Sequence, residues 1–521
     1  SLTVALAVEI LNVLMERTRN LRMAPFNWAE KILKKMKITT TILVIVVIFT
    51  MYFMMIIMNK QRHSLQGIER NQEATVSNNS YSEKDNTKGK KESTQSELIN
   101  NKKLKLRQLP TPHTWNTALT IKTEIKIPAT SASEFTWKTI SWTLSIYSSY
   151  YDRRHVKTVT GGFKRSLIIF GYEFGVITGK LFCVIIANDN ARILIDLPAV
   201  RVNISELWRD KKNKNKAFGY RCKLTTPETP RYVTLTDATT TFKDIDFTSF
   251  ISVVDPCLPA APTHKFGVCY GSPLYGFKYD QDIMNSIEMN KLLGATWFTI
   301  YVYEANDKAM KILKYYSQKL KILNAVLNWK ENLPRRVYNR GQLVALHDCI
   351  YRNMYQVQFL ALCDLDEVIL PQKGLNWNRL FSKIDRPERA HFVFAHLGFH
   401  HNQTEPSECF NCPSKPKLTY KMPRFFVMYK RSVSPLRTPK QAKSIAKPKF
   451  VITAHVHSQR RLLPGYHFYF VPKNVAIMKH FRDKTSIYDE DVNTTSDHRM
   501  DRFKHTLLAA IEKQFCHNID W

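Results

Sequence analysis

Two carboxylates separated by one residue are the feature of this sequence best suited to chemistry. Asp364 and Asp366 directly follow an apolar run, residues 357–363. Such a pair at the end of a strand holds a hard divalent cation, and the cation in turn holds a diphosphate. Solvated loops often contain the same pattern, which is the alternative interpretation. Apolar residues also follow the pair at 368–371, and because unpaired carboxylates are costly to bury, this context favours an ion site.

The elements that position the two aspartates alternate between helix and strand. Apolar spacing predicts helices at 280–293, 307–320 and 341–355 and strands at 296–304, 321–329 and 357–363. This order predicts an α/β fold whose open, mostly parallel sheet carries helices on its faces. Ligands of such sheets bind beyond the carboxyl ends of the strands, which is where Asp364 and Asp366 lie. We therefore expect one α/β domain over residues 266–521.

The sequence before this domain has a different character. Short runs of Val, Ile, Thr, Tyr and Phe recur between turn residues over 111–265, which predicts a smaller β-rich accessory domain. Residues 59–110 are polar, rich in Asn, Ser, Glu and Lys, and lack apolar periodicity. We interpret this segment as a flexible stem.

Residues 38–58 contain no charged side chain. A helix of this length is about 31 Å long and spans one bilayer core, so we predict a transmembrane helix here, with a buried core helix as the alternative. More basic residues precede the segment than follow it: Lys31, Lys34, Lys35 and Lys37 against Lys60 and Arg62. By the positive-inside rule, residues 1–37 are expected to be cytoplasmic and the remaining chain lumenal.

The strong positive charge of the chain restricts the classes of partner. Lys and Arg number 77 against 44 Asp and Glu, a net charge of +33, which suits nucleic acid, anionic lipid or a phosphorylated or sulfated substrate. The basic residues form no single dense stripe, and a lumenal location separates them from nucleic acid. We therefore expect no nucleic-acid partner.

The cysteines agree with an oxidising compartment. All nine follow the predicted span, and an odd count leaves at least one thiol unpaired. Cys409 and Cys412 form a lone Cys-x-x-Cys, for which a local disulfide or two unrelated partners are favoured over a zinc site. Four glycosylation sequons also follow the span: Asn78, Asn203, Asn402 and Asn493.

Several segments together resemble glycosyltransferase family 92. The resemblance rests on 269–275 (CYGSPLY), 292–301, Gly341-Gln342 with His347-Asp348-Cys349, Asp364-Leu365-Asp366-Glu367 with Pro371, Lys443-Ser444-Ile445, His455-Val456-His457 and His480-Phe481-Arg482. Phe481 stands where members of the family more often have Tyr. Upstream, the segment 148–154 is similar to one that members place in their β-rich part. The likeness extends over residues 145–485.

The resemblance implies a type II Golgi membrane protein with a GT-A-type nucleotide-sugar-binding domain. Characterised members transfer galactose from UDP-galactose to a glycan acceptor with inversion and use Mn²⁺. This implies that a nucleotide sugar, a glycan acceptor and, through one helix, the membrane are the partners. A catalytically inactive, membrane-anchored glycan-binding protein is one alternative, and a surface protein whose basic stem holds anionic polymers is another.

Roles for individual residues follow from this resemblance. Asp366 is the expected metal ligand, and Asp364 is expected to contact the nucleotide ribose, bound water or the ion itself. His480 is a third candidate ligand, with a purely structural histidine as the alternative. Arg482 is expected to contact the diphosphate, because guanidinium groups match phosphate geometry. Glu367 is expected either in the site or capping the turn.

Further candidates bind substrate or act as the base. Gln342 and Asp348 lie in segments shared with the family and are expected at the donor, although Asp348 is equally suited to bracing backbone. An inverting displacement needs a carboxylate that removes the proton of the acceptor hydroxyl. Glu405 and Glu408 are the candidates for that base, with solvated loop residues as the alternative.

Overall fold

The computed structural model describes residues 119–120 and 136–521, with gaps at 155, 159–160, 164, 176, 178, 188–191, 205–214, 225–228, 241, 256–260, 277–279, 331–336, 375, 401–408, 414, 433–441, 458 and 483–493. The chain divides into two compact units, Ser1–Lys105 and Leu106–Trp521, and every described residue belongs to the second unit.

The first part of this unit is built from antiparallel strands. They are β1 Leu119–Thr120, β2 Lys138–Ser141, β3 Leu144–Asp152, β4 Val156–Thr158, β5 Gly161–Phe163, β6 Ser166–Phe174, β7 Leu181–Ala187, β8 Arg192–Asn203, β9 Asn215–Lys223, β10 Pro230–Asp237 and β11 Ile251–Val254. Seven of them form a closed barrel in the order β8-β7-β10-β11-β3-β6-β9, because β9 pairs again with β8. Only the β11–β3 pair of this ring is parallel.

The length of β8 closes the barrel. The first half of β8 pairs with β7, and its second half, Ala199 to Asn203, pairs with β9. Pro198 lies where the strand leaves one neighbour for the other, a position that tolerates the missing backbone N–H. Apolar side chains fill the interior, including Ile146, Ile169 and Ile185. Closure thus follows from a strand long enough to serve two partners.

The second part of the unit contains the remaining strands and helices. The strands are β12 His264–Leu274, β13 Trp297–Val302, β14 Leu323–Val326, β15 Val357–Cys363, β16 Glu367–Pro371, β17 Arg389–Phe394, β18 His396–His400, β19 Cys409–Cys412, β20 Lys415–Lys421, β21 Lys430–Ser432, β22 Lys443–Ala446, β23 Val451–Ala454, β24 Gln459–Leu462, β25 His467–Phe470, β26 Ala476–Arg482 and β27 Thr494–Ser496. The α-helices are α1 Asp280–Leu293, α2 Asp307–Lys314, α3 Gln342–Arg352, α4 Trp377–Ile384, α5 Arg424–Val427 and α6 Lys504–Glu512. Short 3-10 or π-helical turns of this part cover Tyr315–Lys319, Tyr338–Gly341, Pro448–Phe450, Asp501–Phe503 and Lys513–Asn518, and two 3-10 turns of the first part cover Phe242–Asp244 and Phe247–Ser249.

Two mixed sheets organise these elements. A seven-stranded sheet has the order β14-β13-β12-β15-β22-β17-β25, and a five-stranded sheet has the order β16-β26-β18-β21-β27. In the first, β12, β13, β14 and β15 are parallel, whereas β22 runs against both β15 and β17. In the second, only β18 and β26 are parallel.

The expected α/β fold of GT-A type, with an open and mostly parallel sheet, is wrong as a description of this structure. Strands predominate, seven of them close into a barrel, and both sheets of the second part are mixed. The prediction extended the helix–strand alternation of residues 280–363 to the end of the chain. Beyond β16 the described chain instead forms mainly short strands and hairpins, whose apolar runs are too short to reveal their direction.

The predicted cytoplasmic segment 1–37, transmembrane segment 38–58 and stem 59–110 lie outside the described residues. Among those that are described, no helix combines the length and apolar character that crossing a bilayer requires. The boundary expected between residues 265 and 266 remains a prediction.

A buried ion cluster connects the barrel to the second part. The carboxylate of Asp152 accepts hydrogen bonds from Arg154 at 2.8 and 2.9 Å and from Arg221 at 2.9 Å. Arg154 Nη1 also donates to the Val451 carbonyl at 2.7 Å, and Arg221 Nη2 donates to the Tyr351 hydroxyl at 3.1 Å. Burial alone would raise the pKa of Asp152, but the two guanidinium groups hold that pKa well below its usual range. The cluster therefore joins β3 and β9 to α3 and β23.

Replacing Asp152 with Asn is expected to lower the free energy of unfolding by about 3–5 kcal/mol at neutral pH, because two buried guanidinium groups lose their counter-ion. A depressed carboxyl pKa stabilises above the unfolded pKa, so the difference between wild type and D152N should shrink below about pH 4. Denaturant titrations at neutral and acid pH measure both effects.

Asp520→Asn is the control, because Asp520 and its partner Lys319 form an exposed pair, with 93% and 62% of their side chains accessible. Such pairs contribute about 1 kcal/mol or less. Equal stability of D152N and D520N at neutral pH would contradict the structural role of the cluster.

Candidate active site

A tight acidic turn follows β15. Every residue of β15 except Gln358 is buried, since the strand lies between β12 and β22, and the chain reverses immediately after it. The Glu367 N–H donates to the Asp364 carbonyl at 3.2 Å, and the Asp364 N–H donates to Glu367 Oε2 at 2.9 Å. Glu367 thus caps the turn, one of the two roles expected from its position. The turn leaves Asp364 and Asp366 partly accessible, at 26% and 31% of their side chains.

Lys443 provides the counter-ion of the turn. It begins β22, beside the end of β15, and its ammonium group lies 2.7 Å from Asp364 Oδ2 and 3.1 Å from Glu367 Oε2. Burial alone would raise the pKa of Asp364, but the attraction of Lys443 lowers it to about 2. Burial likewise would lower the pKa of Lys443, but the two carboxylates raise it. Asp364 is therefore held as an anion inside the protein.

Asp366 faces a histidine across the strand pair β16–β26. Glu367 is opposite His480 in this antiparallel pair, and the Phe481 N–H donates to the Asp366 carbonyl at 2.9 Å. This register places His480 Nε2 3.2 Å from Asp366 Oδ2. Arg482 Nε donates to the same His480 nitrogen at 3.1 Å, and Arg482 is exposed. The structure therefore brings three predicted site residues together at one edge of the sheets.

Gln342 is joined to the acidic turn through a serine. Its side-chain amide donates to Ser272 Oγ at 2.5 Å, and the Ser272 hydroxyl donates to Asp364. Asn339 donates to Gln342 Oε1 at 2.7 Å. Gln342 begins α3 directly after Asn339, Arg340 and Gly341, which all have left-handed backbone, at φ 40°, 55° and 87°. The left-handed backbone costs energy at Asn339 and Arg340, which are not glycines, and strain of this kind clusters at functional sites.

A second histidine contacts the other ring nitrogen of His480. His396 Nε2 lies 3.0 Å from His480 Nδ1, and the His396 side chain is buried. Burial lowers the pKa of His396 to about 3, so its ring is neutral at physiological pH. Sequence reasoning assigned no role to His396, Ser272 or Lys443. Ser272 and Lys443 lie within segments that resemble the family, whereas nothing in the sequence marked His396.

Asp348 does not join this group. It is fully buried and accepts hydrogen bonds from the hydroxyls of Tyr150 and Tyr301, both at 2.5 Å, and from Arg352 at 3.0 Å. None of these partners belongs to the acidic turn, and its expected contact with the donor remains a prediction. The candidate bases Glu405 and Glu408 lie outside the described residues.

The donor atoms at Asp366 and His480 suit a divalent cation. Two ligands at about 2.1 Å on neighbouring positions of an octahedral ion are about 3 Å apart, close to the 3.2 Å observed. Across the described part of the chain, no three His, Cys, Asp or Glu side chains converge as a complete protein site. Cations that work on diphosphates often have one or two protein ligands, with water and phosphate oxygens as the others. The residues present therefore fit a shared site of that kind.

Lys443→Met is expected to lower the free energy of unfolding at neutral pH by about 3–5 kcal/mol, because two carboxylates lose the only ammonium group that the structure places between them in the described residues. Lys447→Met is the matched control. Lys447 lies on the same chain segment and pairs at 2.7 Å with Asp385, whose side chain is 31% accessible. We expect a smaller loss from the control by urea titration, because the carboxylate of Asp385 stays partly in contact with water, and equal losses would contradict a structural role for Lys443 in the turn.

Comparison with known proteins identifies the family of the second part of the chain. Residues 264–519 match the sequence profile of Glycosyltransferase family 92. The chain is 28% identical over 181 residues to beta-1,4-galactosyltransferase galt-1 of Caenorhabditis elegans, a match that covers 33% of this chain and 41% of that protein. It is also 28% identical over 135 residues to a second glycosyltransferase family 92 protein of the same species, covering 24% of this chain and 27% of the relative.

These matches span less than half the length of either relative. The profile match nevertheless contains the acidic turn, Lys443 and His480, and the family expected from the sequence is confirmed. Residues 264–519, slightly under half of the chain, are a glycosyltransferase family 92 domain.

Proposed function

We propose that this protein is a metal-dependent, inverting glycosyltransferase that transfers galactose from UDP-galactose to a glycan acceptor. The observation that carries the proposal is the pair of Asp366 and His480, whose donor atoms lie 3.2 Å apart beside the exposed Arg482. The choice of galactose is supported by the name of the first relative, beta-1,4-galactosyltransferase. Mn²⁺ is the ion proposed, with another divalent cation as the alternative.

Transfer from a nucleotide sugar makes negative charge grow on the departing diphosphate. A bound divalent cation supplies charge stabilisation for that group in place of an acid catalyst. Asp366 and His480 are the residues that would hold it. Arg482 is exposed beside them and offers guanidinium N–H groups that suit phosphate oxygens. Preorganised charges of this kind stabilise a transition state without reorganisation during the reaction.

The remaining residues of the site hold Asp364 in place. Lys443 neutralises its charge, Ser272 donates to it, and Gln342 donates to Ser272. Lys443 and Ser272 thus occupy part of the Asp364 carboxylate. Asp366 has fewer protein partners and is the aspartate more open to a ligand. We propose that Asp364 contacts the ribose or ion-bound water, and that the amide of Gln342 orients it through the serine.

An inactive glycan-binding protein is the second candidate. It would keep the fold and bind sugar without turnover, so it differs from the enzyme in predicting no release of UDP. The retained Asp366–His480 pair favours the enzyme. The base that would remove the acceptor proton is proposed to be Glu405 or Glu408.

We also propose that the protein acts in the lumen of the secretory pathway, in the Golgi. Three disulfides in the described residues support an oxidising compartment. They join Cys183 to Cys222, Cys269 to Cys349 and Cys412 to Cys516. Cys412 thus pairs outside its Cys-x-x-Cys motif, one of the alternatives open from the sequence.

Asp366→Asn is expected to reduce turnover by about 100-fold or more while the protein stays folded, because a neutral amide is a poor ligand for a divalent cation. The measurement is UDP release from a panel of UDP-sugars with Mn²⁺ and with chelator, using the full chain and a mixed glycan acceptor. UDP-galactose is expected to give the fastest release.

Asp385→Asn provides a matched control, since this aspartate has the same 31% side-chain accessibility and pairs with Lys447 away from the turn. Full turnover of D366N would remove Asp366 from the site. Absence of UDP release by the wild type from every donor would favour the glycan-binding alternative.

A further inference from the structure

The contact between His396 and His480 follows from strand register. Strand β18 lies parallel to β26, with His396 opposite Met478 and Gly398 opposite His480. His396 is therefore a diagonal neighbour of His480 on the same face, and the glycine leaves room between them. The two rings stand nearly perpendicular, with an interplanar angle of 82° and centroids 5.2 Å apart. Their facing nitrogens are 3.0 Å apart, so one proton is shared between two ring nitrogens.

The hydrogen bond from Arg482 determines which nitrogen of His480 carries the proton. A guanidinium N–H only donates, so His480 Nε2, which receives the Arg482 Nε–H at 3.1 Å, must carry a lone pair. The proton of a neutral His480 is then on Nδ1 and is donated to His396 Nε2. His396 in turn carries its own proton on Nδ1, an atom without a hydrogen-bond partner in the described residues.

This arrangement leaves two acceptors facing each other. In this tautomer of His480 no proton lies between Nε2 and the carboxylate oxygen of Asp366, two atoms that are 3.2 Å apart. Two unprotonated acceptors at this distance repel each other unless a cation lies between them. The tautomer favoured by Arg482 and accepted by His396 is thus the one that a metal ligand requires. Because a ring nitrogen has one lone pair, a cation would take the place of the Arg482 N–H at Nε2.

We propose that His396 is a positioning residue that accepts the Nδ1 proton of His480 and so holds the Nε2 lone pair towards Asp366 for a divalent cation. The inference rests on the proposed function for the identity of the ligand. The assignment of the tautomer depends only on the contacts among Arg482, His480 and His396, and it does not depend on turnover. Hydrogen bonds of this kind fix ring orientation and raise the basicity of the metal-binding nitrogen.

The test compares the wild-type chain with His396→Phe, which keeps the ring volume and removes the acceptor. Ring ¹⁵N shifts of ¹⁵N-histidine-labelled protein without metal report the tautomer, with His480 assigned from its loss in His480→Gln. We expect Nδ1–H at His480 in the wild type and loss of this preference in H396F. An Nε2–H tautomer in the wild type, or no change in H396F, would overturn the proposal.

Mn²⁺ affinity provides the second measurement. By electron paramagnetic resonance of free Mn²⁺, H396F is expected to bind about 10- to 100-fold more weakly than the wild type, and His396→Gln, which keeps an acceptor, to recover part of the loss. If the wild type binds no Mn²⁺ while the tautomer result holds, the metal-dependent function fails and the role of His396 as proton acceptor stands. Unchanged Mn²⁺ affinity in H396F would overturn its positioning role.

Two further variants guard against simple misfolding. His391→Phe replaces another fully buried histidine, on strand β17 of the seven-stranded sheet, and is expected to leave both the His480 shifts and Mn²⁺ affinity unchanged. If H396F does not fold, His396→Asn takes its place, because the shorter side chain does not reach His480. Equal effects of H391F and H396F on Mn²⁺ affinity would count against the proposal.

Discussion

The acidic turn depends on one buried positive charge. Asp364 and Glu367 are close enough to share a single ammonium group, and water reaches neither Glu367 nor Lys443 freely. Without that charge, folding would bring two carboxylates together in a medium that screens them poorly. Once Lys443 satisfies them, Asp366 is the acidic side chain of the turn that remains available. The charge that stabilises the fold thus also selects which aspartate faces a ligand.

The site is assembled where the two mixed sheets meet. The seven-stranded sheet contributes the turn through β15 and the lysine through β22, and the five-stranded sheet contributes both histidines through β18 and β26. Arg482 follows His480 on the same strand, two residues on. Because the two sheets are joined at the turn itself, the distances within the site are set by strand register and not by loop conformation. Such a frame keeps polar groups preorganised.

Sequence reasoning identified the turn because apolar residues enclosed it on both sides, and it identified His480 and Arg482 by resemblance. It misjudged the fold because helix periodicity before Asp364 is strong, whereas the strands of three to seven residues after Pro371 leave almost no periodic signal. Lys443 and His396 act through partners about 80 residues away in sequence, a proximity that spacing does not reveal. The surroundings of Asp348 were equally hidden, because its partners Tyr150 and Tyr301 lie about 200 and about 50 residues away in sequence.

The ion cluster around Asp152 has a consequence for how the domain can be divided. The family profile begins at residue 264, yet Tyr351 at the end of α3 and the Val451 carbonyl are both bonded to arginines of the barrel. Helix α3 also begins with Gln342, which reaches Asp364 through Ser272. A fragment cut at the profile boundary would expose that surface and loosen the helix that orients the aspartate. The barrel is therefore part of the smallest unit that can be exchanged between relatives, and exchanging it requires exchanging the groups that bind its arginines as well.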